Sequence, residues 1–150
     1  MQPTLDQFLT DHLDEITAEV AGEIAERVPA YTHLRPREIL FLVRDALAAY
    51  TGARETGAVL DAFRALGASE ARAGHDVRHF ESALRTGARV LIRRTAGAAA
   101  RLYPPTAEYV DVMEQAFSAE GRIVQAAVEG HHRAGRRDGV CRLYTLVSEN

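Results

Sequence analysis

The chain has 150 residues, of which 47% are hydrophobic and 26% are charged. This length fits one domain with one core, and this composition is that of a globular protein rather than a disordered or collagen-like chain. The formal charge of −3 is too small to indicate a broad phosphate-binding surface. We therefore expect no direct binding of nucleic acid by this chain.

The single cysteine, Cys141, excludes an internal disulfide and favours a reducing, cytoplasmic compartment. The N-terminus lacks the basic and apolar regions of a signal peptide. The longest strongly apolar run, Ile39–Val43, is far shorter than the ~20 residues that span a bilayer. We expect a cytoplasmic protein without membrane contact.

Apolar residues recur with helical spacing along most of the chain, and capping residues, prolines and glycines divide this pattern. A capping box starts at Thr4, and Pro36 begins a second segment where its missing N–H costs least. Gly74 is placed to end a third helix, Asp76 to cap a fourth, and Gly130 to end a fifth. The sequence predicts helices at about residues 4–28, 36–51, 57–73, 77–102 and 106–129.

The last twenty residues break this pattern. Residues 131–138 are polar and predict a turn or a frayed helix end, whereas residues 140–147 form a short apolar segment of β character. The prediction is an all-α, five-helix bundle over residues 1–130, acting as a sensor or dimerisation domain, followed by a tail or linker at residues 131–150.

The first predicted helix is longer than one edge of a small core requires, at nearly 40 Å for ~1.5 Å per residue. Residues 1–28 carry seven acidic side chains against Arg27 alone. This acidic surface is either solvated or faces a basic tail or a partner. We predict a homodimer through the apolar stripe of the first helix, with Gly87–Ala88 or Val140–Val147 as alternative surfaces.

Two histidines four residues apart, His75 and His79, have the spacing at which two imidazoles can bind one metal ion. A third ligand would have to come from Glu81 or from the distant His33. The alternative is that Asp76 caps the fourth helix while both histidines lie at its polar edge. We expect the second arrangement, and therefore no metal.

Other constellations are weaker. A histidine in a long-helix bundle can ligate haem iron, but His12, between two leucines, fits the edge of a core better. His131, His132 and the nearby arginines form either a phosphate site or a solvated segment, and we favour the solvated segment. Cys141 has only Arg142 beside it, and neither a nucleophile–histidine pair nor a phosphate-binding loop is present. We expect no enzyme activity and no cofactor.

The third and fourth helices resemble a known family. The stretch Leu66–Val77 reads LGASEARAGHDV and Phe80–Leu91 reads FESALRTGARVL. Both are similar to the RsbRD type of N-terminal domain, named for the RsbT co-antagonist and common at the front of PucR/CdaR-like actinobacterial transcription regulators. Residues Tyr31–Leu40 resemble the family's entry into its second helix, so the similarity covers roughly residues 10–130. Leu84 departs from the aromatic residue usual in the second phrase.

The resemblance implies an all-helical input or dimerisation domain, globin-like but without haem, that normally precedes an effector. Its matched positions suit packing more than catalysis, and Arg85 is expected to hold a carboxylate or a helix end. If a small anion binds, Arg85 and His79 are the candidate ligands. The prediction is a non-enzymatic signal-input or oligomerisation domain of a bacterial regulator. The alternative is a globin-like haem- or ligand-binding sensor of gas or redox state.

Overall fold

The computed structural model describes the backbone of residues 4–148 and the side chains of residues 4–136. Every regular element in that part of the chain is a helix, which confirms the all-α class, with six helices in place of the predicted five. They are α1 (Leu5–Asp11), α2 (Leu13–Arg27), α3 (Pro36–Thr51), α4 (Thr56–Arg72), α5 (Val77–Leu102) and α6 (Ala107–Ser148).

The additional helix arises because the predicted first helix is broken at His12. The Thr4 side chain caps α1 as predicted, accepting a hydrogen bond from the Gln7 backbone N–H at 3.1 Å. His12 then leaves the helical conformation, with φ −108° and ψ 16°. Its Nδ1 lies 2.8 Å from the Phe8 carbonyl oxygen, so the ring competes locally with the helical ladder.

The predicted boundaries of the second and fourth helices are confirmed. Pro36 stands in the first turn of α3, and Gly52 ends that helix in the left-handed conformation with φ +77°. Asp76 caps α5 by accepting a 2.7 Å hydrogen bond from the Arg78 backbone N–H. The α5 helix runs over Val77–Leu102, where it was expected.

The β character predicted for residues 140–147 is wrong, and so is the turn at residues 131–138. Helix α6 continues through Gly130 to Ser148, so residues 131–138 are not a turn and residues 140–147 are not extended. Gly130 lies inside the helix and not at its end. A glycine is needed there because a Cβ would lie 2.1 Å from the carbonyl oxygen of Arg64 on α4. Residues 149–150 of the predicted tail, and the side chain of Cys141, lie outside the described part.

Helices α4 and α6 cross with their backbones in contact. A Cβ at Gly67 on α4 would lie 1.9 Å from the Ala127 carbonyl oxygen on α6, so only glycine fits at this point. The packing at Gly87 is looser, because a Cβ there would meet Val20 Cγ1 at an ordinary 3.5 Å. Gly67 and Gly130 together define the glycine crossing, which fixes where α6 lies on the bundle.

The apolar stripe of the first two helices is used inside the chain. Leu9 is 2% exposed and Ile16 is 1% exposed, both within the single core cluster. The structure therefore contradicts the prediction that this stripe is free to form a dimer. Part of the acidic surface is also paired, since Arg94 of α5 binds Glu19 at 2.6 Å and Glu15 at 3.2 Å.

Within the part of the chain that the structure describes, no helix has the length and apolar character to cross a membrane.

Candidate functional site

Four polar side chains from three segments meet at one end of the bundle. Tyr31 and His33 lie in the loop between α2 and α3, Glu70 lies in the last turn of α4, and His75 follows that helix. We call these residues, Tyr31, His33, Glu70 and His75, the histidine–glutamate cluster. Glu70 is its centre, because each of the other three side chains contacts the Glu70 carboxylate.

The way α4 ends brings His75 back to Glu70. Gly74 takes the left-handed conformation with φ +82°. The Gly74 N–H then donates to the Ala71 carbonyl and the His75 N–H to the Glu70 carbonyl, both at 3.0 Å. This pair of bonds is the Schellman motif, which reverses the chain after a helix. The five-residue separation of Glu70 and His75 in sequence therefore becomes direct proximity in space.

Glu70 faces the core because of its position on α4. It follows Phe63 by seven residues and Gly67 by three, which places all three on one face of the helix. Its exposure is 4%, as low as that of Phe63. A carboxylate in such a place requires partners that compensate for its lost hydration.

Three side chains lie within hydrogen-bonding or ion-pairing distance of the Glu70 carboxylate. The Tyr31 hydroxyl donates a hydrogen bond to Glu70 Oε1. His33 Nε2 lies 2.9 Å from Glu70 Oε1 and 3.0 Å from Oε2, and His75 Nε2 lies 3.5 Å from Oε2. Burial, and then the bond to Glu70, raise the pKa of Tyr31, so its hydroxyl remains a donor.

Aromatic contacts hold the rings in place. The imidazoles of His33 and His75 stack with centroids 3.7 Å apart and planes 11° apart, and the Tyr31 ring meets His33 edge-on at 4.4 Å. On the other side, His131 of α6 stacks on Phe80 at 5.8 Å, and its Nε2 lies 2.8 Å from the His75 carbonyl oxygen. The cluster is thus joined directly to α6.

The residues chosen from sequence lie elsewhere, apart from His75 and His33. His79 is exposed and belongs to no metal-binding group among the described side chains. Arg85 is 59% exposed and donates to Glu81 Oε1 at 2.9 and 3.1 Å, inside an open groove between α5 and α6. Glu70 was not predicted from the sequence, although a carboxylate on the apolar stripe of α4 is a signal that identifies it.

A second feature is a cavity of about 80 Å³ inside the bundle. Its lining is almost entirely apolar and includes Tyr31, which also belongs to the cluster, and Phe80. The lining, which includes Leu42, Phe63 and Ile123, contains no histidine, cysteine or methionine. The cavity can hold a small apolar molecule.

The fold and the cluster define an all-helical bundle domain with one buried polar centre beside its longest helix. The sequence model of the family described as the RsbT co-antagonist protein RsbRD N-terminal domain matches residues 14–140. The chain belongs to this family, and it is therefore a domain of a signalling-regulator family. Comparison with curated proteins and with solved structures gives no significant match.

Proposed function

We propose that this chain is a non-enzymatic signal-input domain of a stress-signalling regulator, in which α6 transmits the state of the bundle. The observation that carries this proposal is the 2.8 Å contact between His131 on α6 and the carbonyl oxygen of His75 in the cluster. Family membership supports the regulatory role.

The geometry around this contact leaves little room for independent motion. The Schellman motif ties His75 to α4, and the glycine crossing seats α6 against the α4 backbone. Packed interfaces of this kind move between discrete arrangements rather than deforming smoothly. A change in the position of His75 therefore acts on α6 through His131. At ~1.5 Å per residue, the 42 residues of α6 extend about 63 Å, far beyond the 26-residue α5.

A chromosomal variant in the producing bacterium tests this role. His131→Ala removes the contact to His75. His132→Ala is the matched control, because it removes the same side chain at the next position, where the histidine is exposed. We expect His131→Ala to accumulate to normal levels but to lose the transcriptional response to stress, while His132→Ala responds normally. A normal response in His131→Ala, or equal loss in both variants, contradicts the proposal.

The absence of enzyme activity is part of the proposal. Among the side chains of residues 4–136, no hydrogen bond joins a serine to a histidine in the manner of an activated nucleophile. The best-formed polar centre is the cluster, where Glu70 has partners on several sides. Such an arrangement suits a structural or ligand-dependent switch better than turnover.

Homodimerisation is a further part, with a changed interface. Because Leu9 and Ile16 are buried, aspartate at either position would unfold the chain rather than test a dimer. Helix α6 carries Val110 and Phe117, 50% and 55% exposed and seven residues apart, on one face. We assign the two-fold contact to this face. Light scattering should show a dimer for the native chain and a folded monomer for Phe117→Asp; a native monomer would refute dimerisation.

The cytoplasm is the proposed compartment, and specific DNA binding is assigned to other parts of a regulator. A mobility-shift assay at physiological salt should show no sequence-dependent binding by these 150 residues. Submicromolar specific binding would contradict this assignment.

The alternative function, a haem- or ligand-binding sensor, can be tested by its absorption spectrum. The small apolar cavity favours a small neutral ligand over haem, since its lining offers none of the histidine, cysteine or methionine side chains that commonly bind haem iron. A Soret band that survives reconstitution and gel filtration would establish the haem alternative.

A further inference from the structure

The histidine–glutamate cluster has the composition of a metal-binding site. Two imidazoles and one carboxylate are the protein ligands of several catalytic zinc sites and of the facial triad of iron enzymes. His33, Glu70 and His75 each place one ligand atom within 4.8 Å of the others. These three side chains therefore provide three ligand atoms for one ion.

The distances agree with a single ion. Ligand atoms at 2.0–2.1 Å from a tetrahedral zinc ion lie about 3.3 Å from one another. The distances from the Glu70 carboxylate to His33 Nε2 and His75 Nε2 are 2.9 and 3.5 Å. Side-chain rotations that unstack the two imidazoles would bring their Nε2 atoms and the carboxylate around one ion.

The neighbouring groups also suit a metal. The Tyr31 hydroxyl bonds to Glu70 Oε1 and so orients the carboxylate, as outer-shell partners of metal ligands commonly do. The Schellman motif and the His131 contact fix the backbone of His75. The side chains of His33 and His75 are 31% and 34% exposed, which leaves a path from solvent and room for a water as fourth ligand.

The surroundings of Glu70 also favour a cation. This carboxylate is 4% exposed, and the side chains that contact it are a phenol and two imidazoles rather than a lysine or an arginine. One divalent cation bound by the two Nε2 atoms and the carboxylate would place positive charge beside Glu70. From this we infer that His33, Glu70 and His75 bind one divalent transition-metal ion, with Zn²⁺ as the probe.

This inference departs from our expectation, from sequence, of a chain without metal. That expectation concerned His75 paired with His79, whereas the site here takes its other ligands from the α2–α3 loop and from α4. It does not depend on the regulatory role proposed above, since a protein without that role could bind the ion equally well.

Calorimetric titration of ZnCl₂ into chelator-treated protein without a histidine tag tests the site. We expect one ion per chain. His33→Ala, Glu70→Gln and His75→Ala should each weaken binding by more than about 100-fold, while Tyr31→Phe, an outer-shell change, should weaken it by roughly 10- to 100-fold. The control His79→Ala, four residues from His75 and exposed, should bind as the native chain does.

A measurement on the native chain guards against variants that fail to fold. In ¹H–¹⁵N spectra that detect imidazole nitrogens, Zn²⁺ should shift the Nε2 signals of His33 and His75 and leave those of His12 and His79 unchanged. Circular dichroism checks the helical content of each variant. The inference is overturned by the absence of saturable binding at millimolar Zn²⁺, by shifts confined to other histidines, or by lost affinity in His79→Ala.

Discussion

The glycine crossing between α4 and α6 makes the substitution Gly67→Ala an informative perturbation. In the interior of an exposed helix, this change normally stabilises a protein by about 0.5–1 kcal/mol, because alanine has less backbone freedom to lose. At Gly67 the new Cβ would lie 1.9 Å from the Ala127 carbonyl oxygen and 2.9 Å from the His131 nitrogen. Both are backbone atoms, so no side-chain rotation relieves the overlap.

The magnitude follows from how far the helices must separate. Ordinary contact begins near 3.4 Å, so α6 must shift outward by about 1.5 Å. A gap of even 0.5–1 Å costs roughly a quarter to a half of each dispersion contact across an interface. We therefore expect destabilisation at the upper end of the range for overpacked cores, about 3 kcal/mol. For a chain of this size that lowers Tm by roughly 6–12 °C.

The assay is thermal unfolding followed by circular dichroism, with urea titration to check that the m-value is unchanged. Gly121→Ala on α6 is the matched control, because no heavy atom lies within 4 Å of its added Cβ. The control should unfold at or slightly above the native temperature. If Gly67→Ala proves as stable as the native chain, the backbone contact between α4 and α6 does not exist as described.

Three further outcomes are expected. Burial, and then the charge of Glu120, raise the pKa of Tyr50. Above the unfolded value near pH 10 only the unfolded chain releases the phenol proton, so stability falls by up to about 1.4 kcal/mol per pH unit, and urea titrations should show a shallower fall for Tyr50→Phe. Thr17 has a buried hydroxyl without a partner, so Thr17→Val should stabilise by about 1 kcal/mol in urea, and a loss would refute this. A double-mutant cycle on Glu19 and Arg94, 2.6 Å apart and both partly exposed, should give about 0.5–1 kcal/mol that shrinks in high salt, whereas a salt-independent value would not fit.

Helix boundaries set by local chemistry were predictable from the sequence. Thr4, Pro36 and Asp76 each act on their own helix end, and each was found where the residue type predicted it. The wrong boundaries have non-local or competing causes. Gly130 was interpreted as a helix end, but the approach of Arg64 on α4 determines its role, and one sequence carries no direct sign of that partner.

The candidate site was only partly predictable for a related reason. His75 was singled out by its spacing to His79, yet a four-residue spacing favours a shared ligand only if both residues lie inside a helix. His75 precedes α5, and the Schellman motif directs it to Glu70 instead. His33 was named as a distant ligand. Its actual neighbours depend on how the α2–α3 loop packs, which periodicity does not encode.

The Schellman end of α4 makes one half of the cluster recognisable in other sequences. Glu70 and His75 are held at a fixed separation by Gly74, so the string Glu-x-x-x-Gly-His at a helix end is a compact signature. An insertion or deletion inside that string would remove the left-handed glycine from its place and part the carboxylate from the imidazole. The loop that supplies His33 is held instead by a turn, in which the Tyr31 N–H donates to the Val28 carbonyl oxygen at 2.9 Å, and its length is not tied to a left-handed glycine. A search for this cluster should therefore keep the short string rigid and allow the upstream histidine a variable distance.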